Sequence, residues 1–392
     1  MRARRFFLVP FFLLAFYLPP AAAQEPVVIG AALPQSGLLA DLAADLRKAL
    51  LLWQEEVNAG GGLLGRRVEL QLLDDRSEAT AAGALYEQLL GEHKAAVLLG
   101  PLGSGSTLGA ASVAERHRRV LVNSTGTARA VQKPGFRYTF QVPAPLSAYG
   151  AGALEAARAL GLKRLLIAAR DDPSSKESAQ HALERAQALG IAAGVVESYP
   201  QRTIDFSAMV NRAKAAGADG WIAFGLPQDA AEMVKSFRRL GYAPRLFVAQ
   251  GAADPDFVRR LGQDAEYAVG ISPYRRDAGT RGNARFRQAF AKKWSSEPGA
   301  LAAEGYAAAK VLEEAVRRAG TAETAKLREA LAALETETPI GPYKVDRAGA
   351  QVAAKPLLVQ IQRGRTQIVW PEALAAAKLQ PYPAWEERTR IK

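Results

Sequence analysis

Short apolar runs alternate with longer amphipathic stretches along most of the chain. In the first part, each run has the length of a β-strand, and apolar residues recur at helical spacing in the segments between the runs. The pattern predicts strands over 26–33, 67–73, 95–99 and 120–122 and helices over 38–58, 80–90 and 110–118. A regular alternation of strand and helix favours a parallel sheet covered by helices on both faces.

The alternation starts again after Pro143 and Pro145, which mark a crossing between two lobes. This part predicts strands over 164–168, 193–199, 220–224, 246–249 and 267–271 and helices over 154–160, 176–189, 206–215 and 230–240. Later helices are predicted over 286–294, 302–319 and 326–334, and late strands over 357–362 and 367–369. A chain of 392 residues is too long for one ordinary core. We therefore predict an α/β fold with two lobes, each a mainly parallel sheet flanked by helices, and a cleft between them.

Polar turns follow the predicted strands, and the turns richest in glycine and hydroxyl groups are 100–107 and 123–127. Ligands of open α/β sheets bind beyond the carboxyl ends of the strands. Unpaired N–H groups at a helix start, with Ser and Thr hydroxyls beside them, suit a carboxylate or a phosphate. Ser and Thr at such positions also cap helices that bind nothing, and the turn alone leaves both readings open. The turns expected to converge on the cleft are 34–37, 100–107, 123–127, 170–175, 225–229 and 250–254.

No set of residues typical of catalysis is visible in the sequence. The turn 100–107 has neither the lysine of a phosphate-binding loop nor the spacing G-x-G-x-x-G or G-x-S-x-G. His93, His117 and His181 have no acidic cluster with metal-ligand spacing around them. The acid pairs 74–75 and 171–172 are explained by turn formation as well as by acid–base chemistry. We therefore expect a protein that is not an enzyme and that holds no metal or cofactor.

The first residues have the composition of a secretory signal peptide. Arg2, Arg4 and Arg5 precede an apolar run over 6–18, and three alanines end at Ala23. We expect export to the periplasm with cleavage after Ala23. The chain has no cysteine, which excludes disulfides and thiol catalysis and argues against a lipid anchor on an N-terminal cysteine. The net charge is +12, but the basic residues are scattered, so we expect no nucleic-acid partner.

Six segments resemble the periplasmic branched-chain amino-acid-type (Leu/Ile/Val-binding-like) solute-binding proteins of ABC importers. They are IGAALPQSGLLADLAADLRKALLLWQEEVNAGGG, GLLGRRVELQLLDDRSEATAAGALYEQLL, VLLGPLGSGST, VLVNSTGTARAV, YPQRTIDFSAMVNRAKAAGADGWIAFG and IVWPEALAAAKLQPYPAW. The resemblance implies a type I periplasmic-binding, Venus-flytrap fold with three hinge crossings. The crossings are placed near 142–144, 271–274 and 345–347, which gives lobe 1 as 24–142 with 274–345 and lobe 2 as 143–272 with 346–392.

The same resemblance implies a function and a site. A small carboxylate- or amide-bearing solute, branched-chain amino acid-like or another organic acid, is bound between the lobes of a monomeric protein and passed to a membrane permease. Ser104 matches the family's carboxylate-binding serine, and Thr125 and Thr127 match the second turn that holds the same carboxylate. The residues expected to shape the rest of the site are Gln35, Ser36, Ser174, Leu226 and Gln250.

The lobe 2 side of this predicted site departs from the family. Amino-acid binders hold the α-amino group there with an aromatic residue and an acid, and these positions read Ser174 and either Gln250 or Gly251. A further tyrosine of the family reads Leu226. An ammonium buried without an acid is costly, so the departure argues against a free α-amino acid as the ligand. Two alternatives stay open: a sensing protein that acts on a receptor, and a secreted α/β hydrolase, which the isolated histidines disfavour. The acids that could replace the missing one are Asp171, Asp172, Asp229 and Asp254.

Overall fold

The first sheet is built by the N-terminal part of the chain. In the computed structural model of the protein, residues 25–133 and 135–388 are described, and the predicted signal peptide with its cleavage site lies outside them. The strand order is β2-β1-β3-β4-β5, and every neighbouring pair is parallel, which confirms the predicted parallel sheet. The elements are β1 (Val27–Leu33), α1 (Ala40–Ala59), β2 (Val68–Asp74), α2 (Ala82–Gly91), β3 (Val97–Leu99), α3 (Ser104–Arg116), β4 (Leu121–Asn123), α4 (Arg129–Gln132) and β5 (Thr139–Gln141).

The rest of the chain repeats the alternation and then adds a group of helices and two late strands. The middle elements are α5 (Ala151–Ala159), β6 (Arg164–Arg170), α6 (Pro173–Ala188), β7 (Ala192–Tyr199), α7 (Ser207–Ala215), β8 (Gly220–Phe224), α8 (Pro227–Arg239), β9 (Leu246–Ala249), α9 (Pro255–Leu261) and β10 (Val269–Ser272). The last elements are α10 (Asn283–Trp294), α11 (Ala300–Ala319), α12 (Thr324–Ala333), β11 (Thr336–Thr338), β12 (Gly341–Tyr343), β13 (Leu357–Gln362), β14 (Arg365–Trp370) and α13 (Trp385–Arg388).

The second sheet has the strand order β14-β13-β10-β9-β8-β6-β7. Strands β6 to β10 are parallel to their neighbours within that group, whereas β13 runs antiparallel to β10 and β14 antiparallel to β13. Two mainly parallel sheets flanked by helices confirm the predicted fold class. Over residues 25–133 and 135–388, no helix combines the length and the apolar character needed to cross a membrane.

Separate apolar cores lie against the two sheets. Helices α1, α10, α11 and α12 cover one face of the first sheet, and α2 and α3 cover the other. Because side chains alternate along a strand, Ala31 faces the α1 side and Ala32 faces the α2 side. In the second sheet, Trp221 packs edge-on against Phe237 of α8 with ring centroids 4.9 Å apart. Each sheet therefore has its own set of buried residues.

Helix α3 and six short elements differ from the sequence prediction. Helix α3 begins at Ser104, six residues before the predicted start, and its polar first turn fits a helix because the Thr107 hydroxyl donates to the Gly103 carbonyl at 2.7 Å. The elements that were not predicted are β5, β11, β12, α4, α9 and α13. Each has three to seven residues, which carry too little periodicity to indicate an element.

The chain leaves the first sheet after β5, returns to it with α10, and joins the second sheet again at β13. Gln351 Nε2 donates to the carbonyl of Val142 at 2.9 Å, which joins the first passage to the last. Gln141 N donates to the carbonyl of Gly349 at 2.9 Å, so this segment still lies along the edge strand β5. We therefore propose that the last crossing lies at 352–356, later than the sequence predicts. The lobe boundaries otherwise stay predictions.

Candidate functional site

The turns that follow β3 and β4 are joined by side-chain hydrogen bonds. Ser124 Oγ donates to the carbonyl of Gly100 at 3.0 Å. Thr125 Oγ1 donates to the carbonyl of Pro101 at 2.7 Å and accepts from Gly103 N at 2.8 Å. Because β3 and β4 are parallel neighbours, their carboxyl ends bring the two polar turns together, as the sequence predicts.

The close approach of these two turns depends on glycine at positions 100 and 126. A Cβ on Gly126 would lie 2.5 Å from Thr107 Oγ1, and a Cβ on Gly100 would lie 2.9 Å from Ser124 N. Asn123, which is fully buried, shapes the second turn: its Oδ1 accepts from Gly126 N at 2.7 Å and its Nδ2 donates to the Gly126 carbonyl at 2.6 Å. The backbone of this turn is therefore held in one conformation before any ligand arrives.

Ser104, the first residue of α3, presents a free hydroxyl donor at this edge. Its Oγ accepts from Thr127 N at 3.2 Å and from Ala128 N at 3.1 Å. A serine hydroxyl has two acceptor lone pairs and one donor hydrogen, so both lone pairs are occupied and the O–H must donate elsewhere. No acceptor for it, and no partner for the Thr127 hydroxyl, is found in the described part of the chain. Two hydroxyl groups are thus available at one point beyond the strands.

Thr125 joins the two turns. Its hydroxyl links Pro101 and Gly103, and its backbone N–H donates to Asn123 Oδ1 at 3.2 Å. Every donor of Thr125 is therefore used inside the protein, and its predicted contact with a carboxylate stays a prediction.

Gln35 and Ser36, after β1, are bound to Asp74 at the end of β2. Ser36 Oγ donates to Asp74 Oδ2 at 2.7 Å, and Gln35 N donates to Oδ1 at 2.8 Å. These hydrogen bonds, led by the one from Ser36, lower the pKa of the Asp74 carboxyl to about 2. Gln35 Nε2 also donates to the carbonyl of Leu72 at 3.0 Å. The donors of both residues are therefore already bound to Asp74 and Leu72. Their part in shaping a ligand site stays a prediction.

The other predicted residues lie at the carboxyl edge of the second sheet. Ser174 is exposed in the first turn of α6, Leu226 precedes α8 with 42% of its surface exposed, and Gln250 follows β9 half-buried. A Cβ on Gly251 would lie 2.4 Å from the carbonyl carbon of Leu226, so the loops after β8 and β9 touch. The structure thus places these three positions along one edge, as the strand order requires.

Three of the four candidate acids of the second sheet have partners in the helix that follows them. Asp171 forms an ion pair with Lys176. Asp172 caps α6 and accepts from Ser175 N and Oγ, both at 2.9 Å. Asp254 caps α9 and accepts from the N–H of the residue two positions later at 2.7 Å. These carboxylates serve turns and helix starts, which was the alternative reading of their positions.

The fourth acid, Asp229, belongs to a buried cluster with Arg170 and Tyr199. Asp229 Oδ2 accepts from Leu226 N at 2.9 Å and lies 3.6 Å from Arg170 Nη1. Burial, followed by the charge of Asp229, raises the pKa of the Tyr199 phenol. The carboxylate of Asp229 therefore already has an arginine and a backbone N–H as partners within the protein.

The turn after β4 also contacts the second sheet's elements. Arg129 N, at the start of α4, donates to Glu177 Oε1 of α6 at 2.6 Å. The carbonyl of Thr127 accepts from Leu146 N at 3.0 Å. The residues around Ser104 therefore lie where the two halves of the molecule meet.

Two buried polar residues were not predicted from the sequence. Glu304 of α11 is 6% exposed and Tyr149, just before α5, is 8% exposed. Within the described residues, neither the Glu304 carboxyl nor the Tyr149 hydroxyl has a hydrogen-bonding partner. Burial raises the pKa of Glu304 to about 8. The available signal was an acid on the apolar face of a helix, in the run ALAAEGYAAAKVL.

The fold agrees with comparisons to known proteins. The family model described as "Periplasmic binding protein" matches residues 26–366. The "Leu/Ile/Val-binding protein homolog 7" of Brucella abortus is 26% identical over 379 residues, which cover 92% of this chain and 95% of that protein.

Solved structures show the same fold. A substrate-binding protein of an ABC transporter from Desulfitobacterium hafniense in complex with Leu has a TM-score of 0.74 and 21% identity, and the match covers 88% of this chain and 100% of that one. A solute-binding protein from R. palustris in complex with benzoate has a TM-score of 0.69 and 21% identity, and the match covers 92% of this chain and 98% of that one. Since the family model spans most of the chain, the chain belongs to the periplasmic binding protein family.

Proposed function

We propose that the protein is the substrate-binding component of an ABC importer and captures a small solute that carries a carboxylate or an amide. In this proposal it is exported to the periplasm, is cleaved after Ala23, acts as a monomer without enzymatic activity, and delivers its solute to a membrane permease. The names of its relatives support the class of function: one is a Leu/Ile/Val-binding protein homologue, and two similar structures belong to ABC transporters and hold Leu and benzoate.

The observation that carries this proposal is the pair of hydroxyl groups on Ser104 and Thr127. Both lone pairs of Ser104 Oγ are filled by backbone N–H groups, which orients its O–H away from the protein's own acceptors. Hydroxyl donors at the start of α3 stabilise an anion without burying a second charge. Leu and benzoate, which the two similar structures hold, share a carboxylate and differ in the rest of the molecule.

Calorimetric titration tests the proposal with leucine, 4-methylpentanoate, 4-methylpentanamide and benzoate as probes. We expect at least one of them to bind, and we expect Ser104→Ala and Thr127→Ala each to weaken that binding about tenfold, the worth of one hydrogen bond to a charged group. Ser112→Ala is the matched control, because Ser112 lies in the same helix and donates to the carbonyl of Leu108. Unchanged affinity in both site variants would refute the site assignment.

A further inference from the structure

A pocket of about 110 Å³ lies where the chain passes between the two sheets. Its walls come from the segment after β10, the β11–β12 hairpin, the segment that leads into β13, and the turn after β14. Its lining residues are all different from those of the candidate solute site. The apolar lining residues include Pro273, Tyr274, Pro339, Ile340, Leu357 and Leu374.

The two charged side chains of the pocket wall are bound to other parts of the protein. Arg275 donates from Nε and Nη2 to the two carboxylate oxygens of Asp277, at 2.9 and 3.0 Å. Its Nη2 also donates to the carbonyl of Thr366 at 3.2 Å. Lys355 Nζ donates to Glu155 Oε1 at 3.4 Å. Both cations are therefore occupied without a ligand in the pocket.

The two hydroxyl groups of the wall are bound in the same way. Thr280 Oγ1 donates to the carbonyl of Pro339 at 2.6 Å, and the Tyr274 hydroxyl donates to Asn283 Oδ1 at 2.9 Å. A polar molecule in this pocket would give up hydrogen bonds to water and gain few in return, which costs free energy. The pocket therefore suits an apolar molecule.

The apolar walls of the pocket belong to both halves of the molecule. Tyr274 is part of the core of the first sheet, and Ile340 packs against that core. Leu357 and Ala278 belong to a small core beside β13 and β14 of the second sheet, and Leu374 packs against it. Because the two sheets have separate cores, a movement of one half against the other changes the shape of the pocket.

We propose that this pocket is a second binding site, which takes one small apolar molecule of about the size of benzene and thereby holds the two halves in the arrangement of this structure. An apolar cavity of about 150 Å³ holds benzene or xenon, and this pocket has a volume of the same order. A ligand stabilises the arrangement in which its site is formed. This second site stands apart from the proposed solute site and does not depend on it.

Benzene is the probe for the location of the site. We expect calorimetry to give a Kd of about 0.1 to 1 mM, because a small ring buries only a small apolar area. Nuclear Overhauser effects should link the benzene protons to the methyl groups of Ile340, Leu357 and Leu374. The proposal is refuted if benzene does not bind, or if the effects appear only at other residues such as Leu226 of the candidate solute site.

Two substitutions in the wall change the pocket in opposite ways. Ala353→Leu adds bulk at a half-buried lining position, and Leu374→Ala removes part of the apolar wall. We expect benzene affinity to fall about tenfold or more in the first variant and about threefold or more in the second. Ala373→Leu is the matched control, because Ala373 is exposed beside Leu374. Ser104→Ala should bind benzene as the wild type does, and equal affinity in the wild type and both pocket variants would refute the site.

Hydrogen exchange of two amides that join the halves reports on their arrangement. Arg129 N donates to Glu177 Oε1, and Leu146 N donates to the carbonyl of Thr127. Separation of the halves breaks both hydrogen bonds and deforms the pocket. Benzene at ten times its Kd should therefore slow the exchange of both amides about tenfold.

Gly320 N serves as the control amide, because it donates to the carbonyl of Arg317 at the end of α11, within one half of the molecule. Benzene should leave its exchange unchanged, and it should slow neither of the joining amides in Ala353→Leu. If benzene binds in the pocket and the exchange of Arg129 N and Leu146 N stays the same, the pocket does not hold the two halves together and the proposal is overturned.

Discussion

At the scale of single residues, the hydrogen-bonding capacity of each side chain separates candidates that sequence alone treats alike. Thr125 and Thr127 lie two positions apart in one turn, and both matched the same family motif. The Thr125 hydroxyl donates to Pro101 and accepts from Gly103, whereas the Thr127 hydroxyl is free of partners in the described residues. The hydroxyl of Thr125 therefore joins the two turns, and the hydroxyl of Thr127 is the one left for the proposed solute.

The buried acid makes a prediction about stability and pH. In the folded protein the pKa of the Glu304 carboxyl is about 8 instead of the usual 4.5. Between pH 4.5 and pH 8, the folded protein therefore keeps a proton on this carboxyl that the unfolded chain has lost. The free energy of unfolding therefore falls as pH rises from 4.5 to 8, and Glu304→Gln removes this fall. At pH 8 we expect the variant to be more stable by an amount on the order of 4 kcal/mol, and near pH 4 this difference disappears.

Urea unfolding of the ligand-free protein at pH 4.5, 6 and 8 measures the effect. Glu314→Gln should follow the wild type at all three pH values, because Glu314 is exposed. A variant that gains no stability at pH 8 would show that Glu304 is charged and paired in the folded protein.

At the scale of elements, the site depends on two turns held in contact. Parallel pairing of β3 and β4 brings the turns side by side, and glycine at 100 and 126 lets them touch. The start of α3 at Ser104 matters equally, because it points the first helical hydroxyl at the second turn. A helix that began at residue 110, as the sequence predicts, would leave Ser104 in a turn without this geometry.

We predict that Gly126→Ala separates the two turns and weakens solute binding. The new Cβ would lie 2.5 Å from Thr107 Oγ1 and 2.7 Å from Thr107 Cβ, so the turn must shift and the N–H groups that bond to Ser104 move with it. We expect a loss of affinity of about tenfold or more, measured by calorimetry with whichever probe binds the wild type.

Gly105→Ala is the matched control for this substitution. Its Cβ would meet only the Ala79 methyl, at the ordinary contact distance of 3.5 Å, and alanine favours the helix. Equal affinities of the two variants would show that the contact between the turns has no part in binding.

At the scale of the whole molecule, two sheets with separate cores meet at their polar edges. The first sheet buries its residues under α1, α11 and their neighbours, and the second has its own aromatic core around Trp221. Contacts between the halves include the hydrogen bond from Arg129 N to Glu177 and the packing of Ala128 against the core of the second sheet. Independent cores joined by short crossings permit the lobes to move as bodies, which is the motion that the proposed function uses.

Phe237→Ala tests the independence of the two cores. Phe237 is fully buried, with ring centroids 4.9 Å from Trp221 and 5.1 Å from Phe247, so truncation should cost about 3–5 kcal/mol in the second core. Hydrogen exchange should then speed up for amides of β6 to β10 and stay unchanged in β1 to β4. Equal loss of protection in both sheets would show that the cores unfold as one unit.

The sequence by itself determined the local elements and the places where polar turns follow strands. Apolar spacing is a property of neighbouring residues, so the strands and helices with clear periodicity were predicted within a few residues, except for the start of α3, and parallel pairing put the turns at one edge. Short elements such as β5 carried too little pattern to be found.

Tertiary structure alone decided which polar groups are free to bind. The partners of Thr125, Ser36 and Asp229 come from other strands and loops, so their engagement is invisible along the chain. Glu304 is covered by its neighbours in the fold and Tyr149 belongs to the core of the second sheet, and neither polar group has a hydrogen-bonding partner among the described residues. Whether a polar group has a partner depends on the contacts that the folded chain makes. The candidate site consists of polar groups that have no such partner among the described residues.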